Sequence, residues 1–210
     1  MTQISNQQER PWLKSYDKGV PANVDYEDTC LPDMLTRSAG AFPNQMALLF
    51  QGYKVNYQQL KVMVDRFATA LDGFGVKKGD RVAILLPNLI PCVVAYYGIL
   101  KVGGIAVMNN PLYSDRELKH QFNDSGAKLL ITLDLLGNRM IDLRAETGVK
   151  QIIYTSIGDY LPFPKSLLFP LVAKKKKLAA NVKPASDLYK WKEVIASNDP
   201  KPPQVSLSFS

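Results

Sequence analysis

One histidine and two cysteines in 210 residues leave little material for metal or thiol chemistry. Cys30 and Cys92 lie far apart, and with His120 they do not form the spacing of a zinc site. So few cysteines build no disulfide framework, which fits a reducing cytoplasm. No G-x-x-x-x-G-K-[ST] phosphate loop and no G-x-S-x-G nucleophile turn occur anywhere in the chain. No uninterrupted apolar run approaches the ~18 residues that span a bilayer. The opening MTQISNQQER is polar and lacks the apolar core of a secretory signal. These absences predict a soluble or peripheral cytoplasmic protein without a visible catalytic constellation.

Charge is in excess on one side only. The 26 Lys plus Arg against 19 Asp plus Glu give a formal +7, compatible with nucleic acid, an anionic membrane or an anionic substrate. Placement separates these. Lys174, Lys175, Lys176 and Lys177 are consecutive and adjoin an apolar segment, while no Arg-rich helix or stacked-aromatic motif points to nucleic acid.

A 46% hydrophobic content suffices for a core. Leu31–Phe42 carries Leu31, Met34, Leu35 and Ala39 at helical spacing. Met46–Phe50 and Tyr53–Tyr57 flank Gln51-Gly52 and read as a hairpin, the glycine supplying positive φ. A helix over Gln58–Asp72 follows, with Leu60, Val64, Phe67, Ala68 and Leu71 on one face. Strands are expected at Val82–Leu86, Ile105–Met108, Lys128–Thr132 and Val149–Tyr154, with helices at Ile90–Lys101, Asp115–Asn123 and Leu133–Arg144 between them. Ile90–Lys101 leaves almost no polar face, as in a helix buried against a sheet. Ser114 with Glu117 forms a capping box for the helix that follows. This alternation predicts an α/β fold, a doubly wound and mostly parallel sheet with helices on both faces.

Several features that suggest chemistry have simpler readings. Gly73-Phe74-Gly75 followed by Gly79 resembles a dinucleotide fingerprint only superficially, because these glycines lie between a helix and a following strand rather than the reverse. His120, between Lys119 and Gln121, suits an exposed helix face. Asp80 fits a turn, and Asp115 and Glu117 fit a helix N-terminus.

Four segments in order carry a resemblance: Asn56-Tyr57-Gln58-Gln59-Leu60, Gly75–Asn88 (GVKKGDRVAILLPN), Tyr97–Lys128, and Leu161–Leu171 (LPFPKSLLFPL). They resemble long-chain acyl-CoA synthetases (long-chain fatty-acid–CoA ligases) of the adenylate-forming, AMP-binding superfamily. NPLYSDRELKHQFNDSGAK is the narrowest of these motifs, and LPFPKSLLFP looks like the bacterial branch. The resemblance runs from about Asp33 to Trp191 and implies the first part of the N-terminal domain of such a ligase.

What the resemblance implies is activation of a fatty acid with ATP and magnesium to an acyl-adenylate, then transfer to CoA. In that family the phosphate loop, the adenine and acyl pockets, the acidic residue near magnesium and the lysine-bearing C-terminal domain come later than these 210 residues. No catalytic, cofactor-binding or metal-binding residue is therefore assigned. The expectation is that this fragment alone is inactive and binds neither ATP, Mg nor CoA tightly. Two alternatives stay open: a non-catalytic membrane-surface or partner-binding module, and one half of a split ligase pairing with the remainder.

The expected organisation is an arm over residues 1–30, a partial AMP-binding-type domain over 31–160, an apolar and polybasic segment over 161–180, and a short helix with a proline-containing tail over 181–210. Within the third part, Leu161, Phe163, Leu167, Leu168, Phe169 and Leu171 are expected to enter an anionic membrane surface while Lys174–Lys177 face headgroups, placing the protein on the inner face of the membrane. The three prolines of this stretch argue against a continuous amphipathic helix.

Overall fold

The computed structural model describes residues 10–176 and 178–208, with Lys174 described by its backbone alone. After a short 3₁₀ turn at Pro11–Ser15, helix α1 spans Leu31–Ala41. The antiparallel hairpin of β1 (Met46–Phe50) and β2 (Tyr53–Asn56) turns at Gln51 and Gly52, both with positive φ of 52° and 96°. That pair of left-handed residues matches the right-handed twist of the strands. Helix α2 (Tyr57–Gly73) starts on a reciprocal cap: the Gln59 N–H donates to Asn56 Oδ1 at 2.8 Å, and the Asn56 N–H donates to Gln59 Oε1 at 2.9 Å.

Five parallel strands then form the main sheet: β3 (Arg81–Leu85), β4 (Ile105–Met108), β5 (Leu129–Leu133), β6 (Gln151–Thr155) and β7 (Leu188–Lys190), in the order β4-β3-β5-β6-β7. Helices α3 (Ile90–Lys101), α4 (Asp115–Ser125), α5 (Asp134–Arg144), α6 (Lys165–Lys176) and α7 (Trp191–Ser197) complete the fold. Strand β3 shows why the sheet needs two covers. Val82 and Ile84 join the core with α2 and α3, whereas Ala83 and Leu85 join the opposite core with Leu118 and Phe122 of α4 and Met140 and Leu143 of α5. A strand buried on both faces reads as a continuous apolar run.

α3 is buried as its sequence predicts, with Val94, Ala95 and Ile99 fully inside. Gly98 sets its distance from α2, since a Cβ there would stand 2.7 Å from Phe67 Cδ1. Beside this crossing Asp65, itself buried, receives Lys61 at 2.6 Å and Lys101 at 2.5 Å and so clamps α2 to α3. The Ser114–Glu117 cap of α4 is present, and its serine bonds hold the Glu117 carboxyl below the usual carboxylate range.

The structure adds to and corrects the sequence expectations: strand β3, expected at Val82–Leu86, spans Arg81–Leu85. Strands β5 and β6 begin at Leu129 and Gln151, because Lys150 and Gln151 both donate to Lys128 O and keep the approach to β6 in a turn. Strand β7 is a fifth strand with no clear signal in three residues, and α7 follows it directly. Residues 165–176 are helical despite the prolines. Pro162 and Pro164 precede the helix and offer carbonyls to Ser166 and Leu168, so only Pro170 interrupts the ladder, at an exposed position. Finally, residues 198–208 have no regular structure yet lie against the body, with the Lys201 N–H donating to Thr69 Oγ1 at 3.2 Å and Lys78 Nζ donating to Ser206 O at 2.7 Å.

Candidate functional site

Parallel sheets bind ligands beyond the carboxyl ends of their strands, at the point where the winding reverses. Here the chain leaves β3 for β4 on one side and returns past β3 to β5 on the other, so the reversal falls between β3 and β5. The side chains gathered at this end bond mainly to one another. Asp134, buried at the end of β5, accepts from the Leu135 N–H at 2.7 Å and from the Ser156 hydroxyl. Burial pushes its carboxyl above the usual carboxylate range, the hydrogen bonds oppose this in part, and the nearby Asp159 charge adds to it. Asp159 accepts from Thr155 Oγ1 at 2.8 Å and from the Ser156 N–H at 2.9 Å. Behind them Trp191 Nε1 donates to Tyr160 Oη at 2.9 Å, and burial raises the Tyr160 hydroxyl to about 12. Among the described residues no group of three metal-ligating side chains converges.

The Asp134 pocket gives a signed pH prediction. A carboxyl whose pKa is raised by folding keeps its full stability while protonated and loses it as pH rises through the ordinary carboxylate range and past the raised value. Asp134→Asn does not titrate, so the stability deficit of this variant relative to wild type is expected to shrink between pH 4 and pH 7. Urea denaturation at both pH values checks this, and a deficit that grows with pH would contradict it.

The membrane-docking residues expected from sequence divide between two faces of α6 and its approach. Phe163, Leu167, Leu168 and Leu171 are 82, 70, 52 and 73% exposed, and Val172, not singled out by sequence, joins them. Positions 167, 168, 171 and 172 share one helix face. Leu161 and Phe169 do not belong to this surface. Both are half-buried, and the Phe169 ring packs so closely on Gly158 that a Cβ there has no room. Ala173 is buried on the same inner side. Helical geometry explains the separation, since residues two apart fall on nearly opposite faces. Lys175 and Lys176 are exposed at the helix end; the side chain of Lys174 and all of Lys177 lie outside what is described. Lys165 Nζ donates to Gln51 O at 3.0 Å and ties the start of the helix to the hairpin turn.

The remaining sequence candidates occupy structural roles. His120 is exposed on α4, and Asp80 Oδ2 accepts from the Lys77 N–H at 2.8 Å within a turn. Gly75 and Gly79 have φ of 83° and 86° between α2 and β3, a connection that needs left-handed residues and meets no helix N-terminus. Cys92 is buried, which pushes its thiol pKa up, and Cys30 is half-buried and free.

A parallel sheet with this order and these covering helices is the fold of the N-terminal domain of adenylate-forming ligases. A long-chain-fatty-acid-CoA ligase from Archaeoglobus fulgidus matches with a TM-score of 0.68 and 21% identity over 92% of this chain and 34% of that one. An anthranilate CoA ligase in complex with anthranoyl-AMP matches with a TM-score of 0.68 and 19% identity over 86% of this chain and 30% of that one. These likenesses are of fold. Sequence carries the assignment further, because the pattern of the AMP-binding enzyme family matches residues 35–204, and the chain belongs to that family. A long-chain-fatty-acid–CoA ligase of Bacillus subtilis is 41% identical over 170 residues, which are 81% of this chain and 30% of that protein. A long-chain-fatty-acid–CoA ligase of Escherichia coli O157:H7 is 37% identical over 165 residues, covering 78% of this chain and 29% of that protein. The chain thus spans about 30% of the length of the curated relatives it matches.

Proposed function

We propose that these residues form the first part of the N-terminal domain of a long-chain fatty-acid–CoA ligase, which couples a fatty acid to ATP as an acyl-adenylate and passes the acyl group to CoA. The observation that carries this reading is the 41% identity sustained over 170 residues with the Bacillus subtilis ligase. ATP, magnesium and CoA are the cofactors of the whole enzyme. The carboxyl edge of this sheet does not by itself fit a magnesium–triphosphate, because Asp134, Thr155, Ser156 and Asp159 are engaged with one another. Stabilising a triphosphate during acyl transfer needs positioned cations and backbone donors. The 210-residue chain alone is therefore proposed to be inactive, and pyrophosphate exchange by the lone and the completed protein is the test.

The second part of the proposal is that α6 rests on an anionic membrane surface at the inner face of the cytoplasmic membrane. No described helix is long and apolar enough to cross a membrane. A helix apolar on two opposite faces has one face for its own domain and one for another apolar medium. Here Phe169 and Ala173 face inward, Leu167, Leu168, Leu171 and Val172 face outward, and lysines flank the stripe at both ends. Polybasic attraction is about 1 kcal/mol per lysine near such a surface. A competing reading, in which the same stripe binds the remainder of the ligase or another protein partner, predicts no lipid dependence.

Liposome co-sedimentation separates the two. Binding is expected to rise with anionic lipid, fall with salt, and drop at least about tenfold when Lys174–Lys177 become Gln. Leu167→Glu with Leu171→Glu should abolish binding at an unchanged thermal midpoint. Phe169→Glu should instead lower the midpoint. Equal sedimentation of the wild type and the Gln variant would remove the membrane from the account.

A further inference from the structure

Acidic residues are unevenly spread along this chain. None of the 19 falls between Asp33 and Asp65, and none between Asp159 and Asp187, whereas lysine and arginine continue through both stretches. The first stretch holds the β1–β2 hairpin and the second holds α6. The fold joins them at the hairpin turn. Lys165 Nζ donates to Gln51 O at 3.0 Å, a Cβ at Gly52 would stand 3.6 Å from Pro162 Cγ, and the Tyr53 and Tyr160 rings meet edge to face with centroids 5.6 Å apart. The hairpin tip and the start of α6 are therefore neighbours on one acid-poor surface.

The hairpin has two faces. Leu48 and Phe50, with their cross-strand partners Val55 and Tyr53, pack on the core. Alternation turns Leu49 the other way, where it stands directly opposite Lys54, so these two side chains lie next to each other. Leu49 is 59% exposed and Lys54 is exposed too. Of the cations in this stretch, Arg37 and Lys61 reach carboxylates at Glu27 and Asp65, but Lys54 forms no ion pair among the described residues. An uncancelled charge beside an exposed apolar side chain repeats on the hairpin what α6 presents with Leu171, Lys175 and Lys176. Both elements sit at the carboxyl end of the sheet: Leu48, Leu49 and Phe50 border one groove with Asn88, Leu89 and Ile90 just past β3, and the 3₁₀ turn Ile157–Tyr160 that leads to α6 follows β6.

We infer that the hairpin tip, through Leu49 and Lys54, is a second membrane anchor that docks with α6 on the same anionic lipid surface. This rests on the docking of α6 proposed in the preceding subsection. Leu49 enters the boundary between headgroups and acyl chains, and Lys54 meets lipid phosphates. One helix alone leaves the protein free to roll about the helix axis; a second anchor, held to the first by Lys165, fixes its orientation. The carboxyl end of the sheet, where parallel sheets receive ligands, then faces the phase in which a long-chain fatty acid dissolves.

Co-sedimentation of the 210-residue chain with phosphatidylcholine vesicles, with and without phosphatidylglycerol, tests this. Lys54→Gln should weaken partitioning onto the phosphatidylglycerol vesicles about fivefold and Leu49→Glu at least about tenfold, both at an unchanged thermal midpoint because both side chains are exposed. Lys150→Gln removes the same charge from an exposed position at the amino end of β6 and should change partitioning by less than about twofold, since salt screens charges held away from the surface. An equal loss with Lys150→Gln and Lys54→Gln reduces the effect to net charge and overturns the inference. Hairpin variants that bind like wild type, while Leu167→Glu with Leu171→Glu does not bind, remove the second anchor and leave the docking of α6 standing. A wild type that ignores phosphatidylglycerol removes both. A gain of signal supplies the second measurement: Leu49→Trp adds an indole whose emission should move to shorter wavelength on phosphatidylglycerol vesicles, beyond any change in the wild type. An added emission that stays at its position in water overturns the inference even where the protein sediments.

Discussion

Val94→Asp is expected to abolish the folded state, leaving no cooperative thermal transition and little protein in the supernatant. Val94 has no exposed surface and lies in the core shared by α2, α3 and the sheet. A carboxylate placed there would lie among the apolar side chains of this core. Burying an unpaired carboxylate costs several kcal/mol or forces the group to stay protonated at a raised pKa. Domains of ordinary stability hold about 5–15 kcal/mol in total, so the substitution consumes most or all of it. Leu112→Asp is the control, because Leu112 is 90% exposed and its replacement should change stability by no more than about 0.5 kcal/mol. A Val94→Asp protein with the midpoint of wild type would place α3 on the surface and contradict the architecture.

The elements that the sequence made legible share one property: their signals are local. Ser114 and Glu117 close their cap within one turn of backbone, and the Gln51-Gly52 turn closes between two short adjacent strands. Ile90–Lys101 could be assigned to the buried layer because no polar face was available to point at water. What escaped was decided by contacts distant in sequence. Strand β7 has three residues and exists because Ile152, Ile153 and Tyr154 of β6 offer an edge to Leu188, Tyr189 and Lys190. The helix over 165–176 forms around Pro170 because Phe169 and Ala173 find a surface to pack on. The same packing divides the docking residues, which composition alone could not do: Phe169 and Leu168 are equally apolar and adjacent, yet one faces the body and the other faces outward. Asp134 and Asp159 were silent in sequence because single carboxylates near strand ends have many ordinary uses, and only the fold brings them to one serine.

Activity gives the largest contrast. The segments that carry the ligase resemblance here are scaffold: β3, the buried helix α3, the edge strand β4 and the capped helix α4. They build the sheet whose carboxyl edge receives ligand in folds of this kind. Electrostatic preorganisation supplies much of the rate in such transfers, so the lone chain is expected to lose exchange fully rather than partly.

Fatty-acid-dependent exchange of labelled pyrophosphate into ATP, measured on the 210-residue chain and on its fusion to the rest of the Bacillus subtilis ligase, is the direct measurement of the central claim. Exchange at the no-enzyme background for the lone chain, and well above background for the fusion with a strict requirement for magnesium and a long-chain fatty acid, is the predicted result. Exchange by the lone chain at the level of the fusion, or a folded fusion that exchanges nothing, would contradict it.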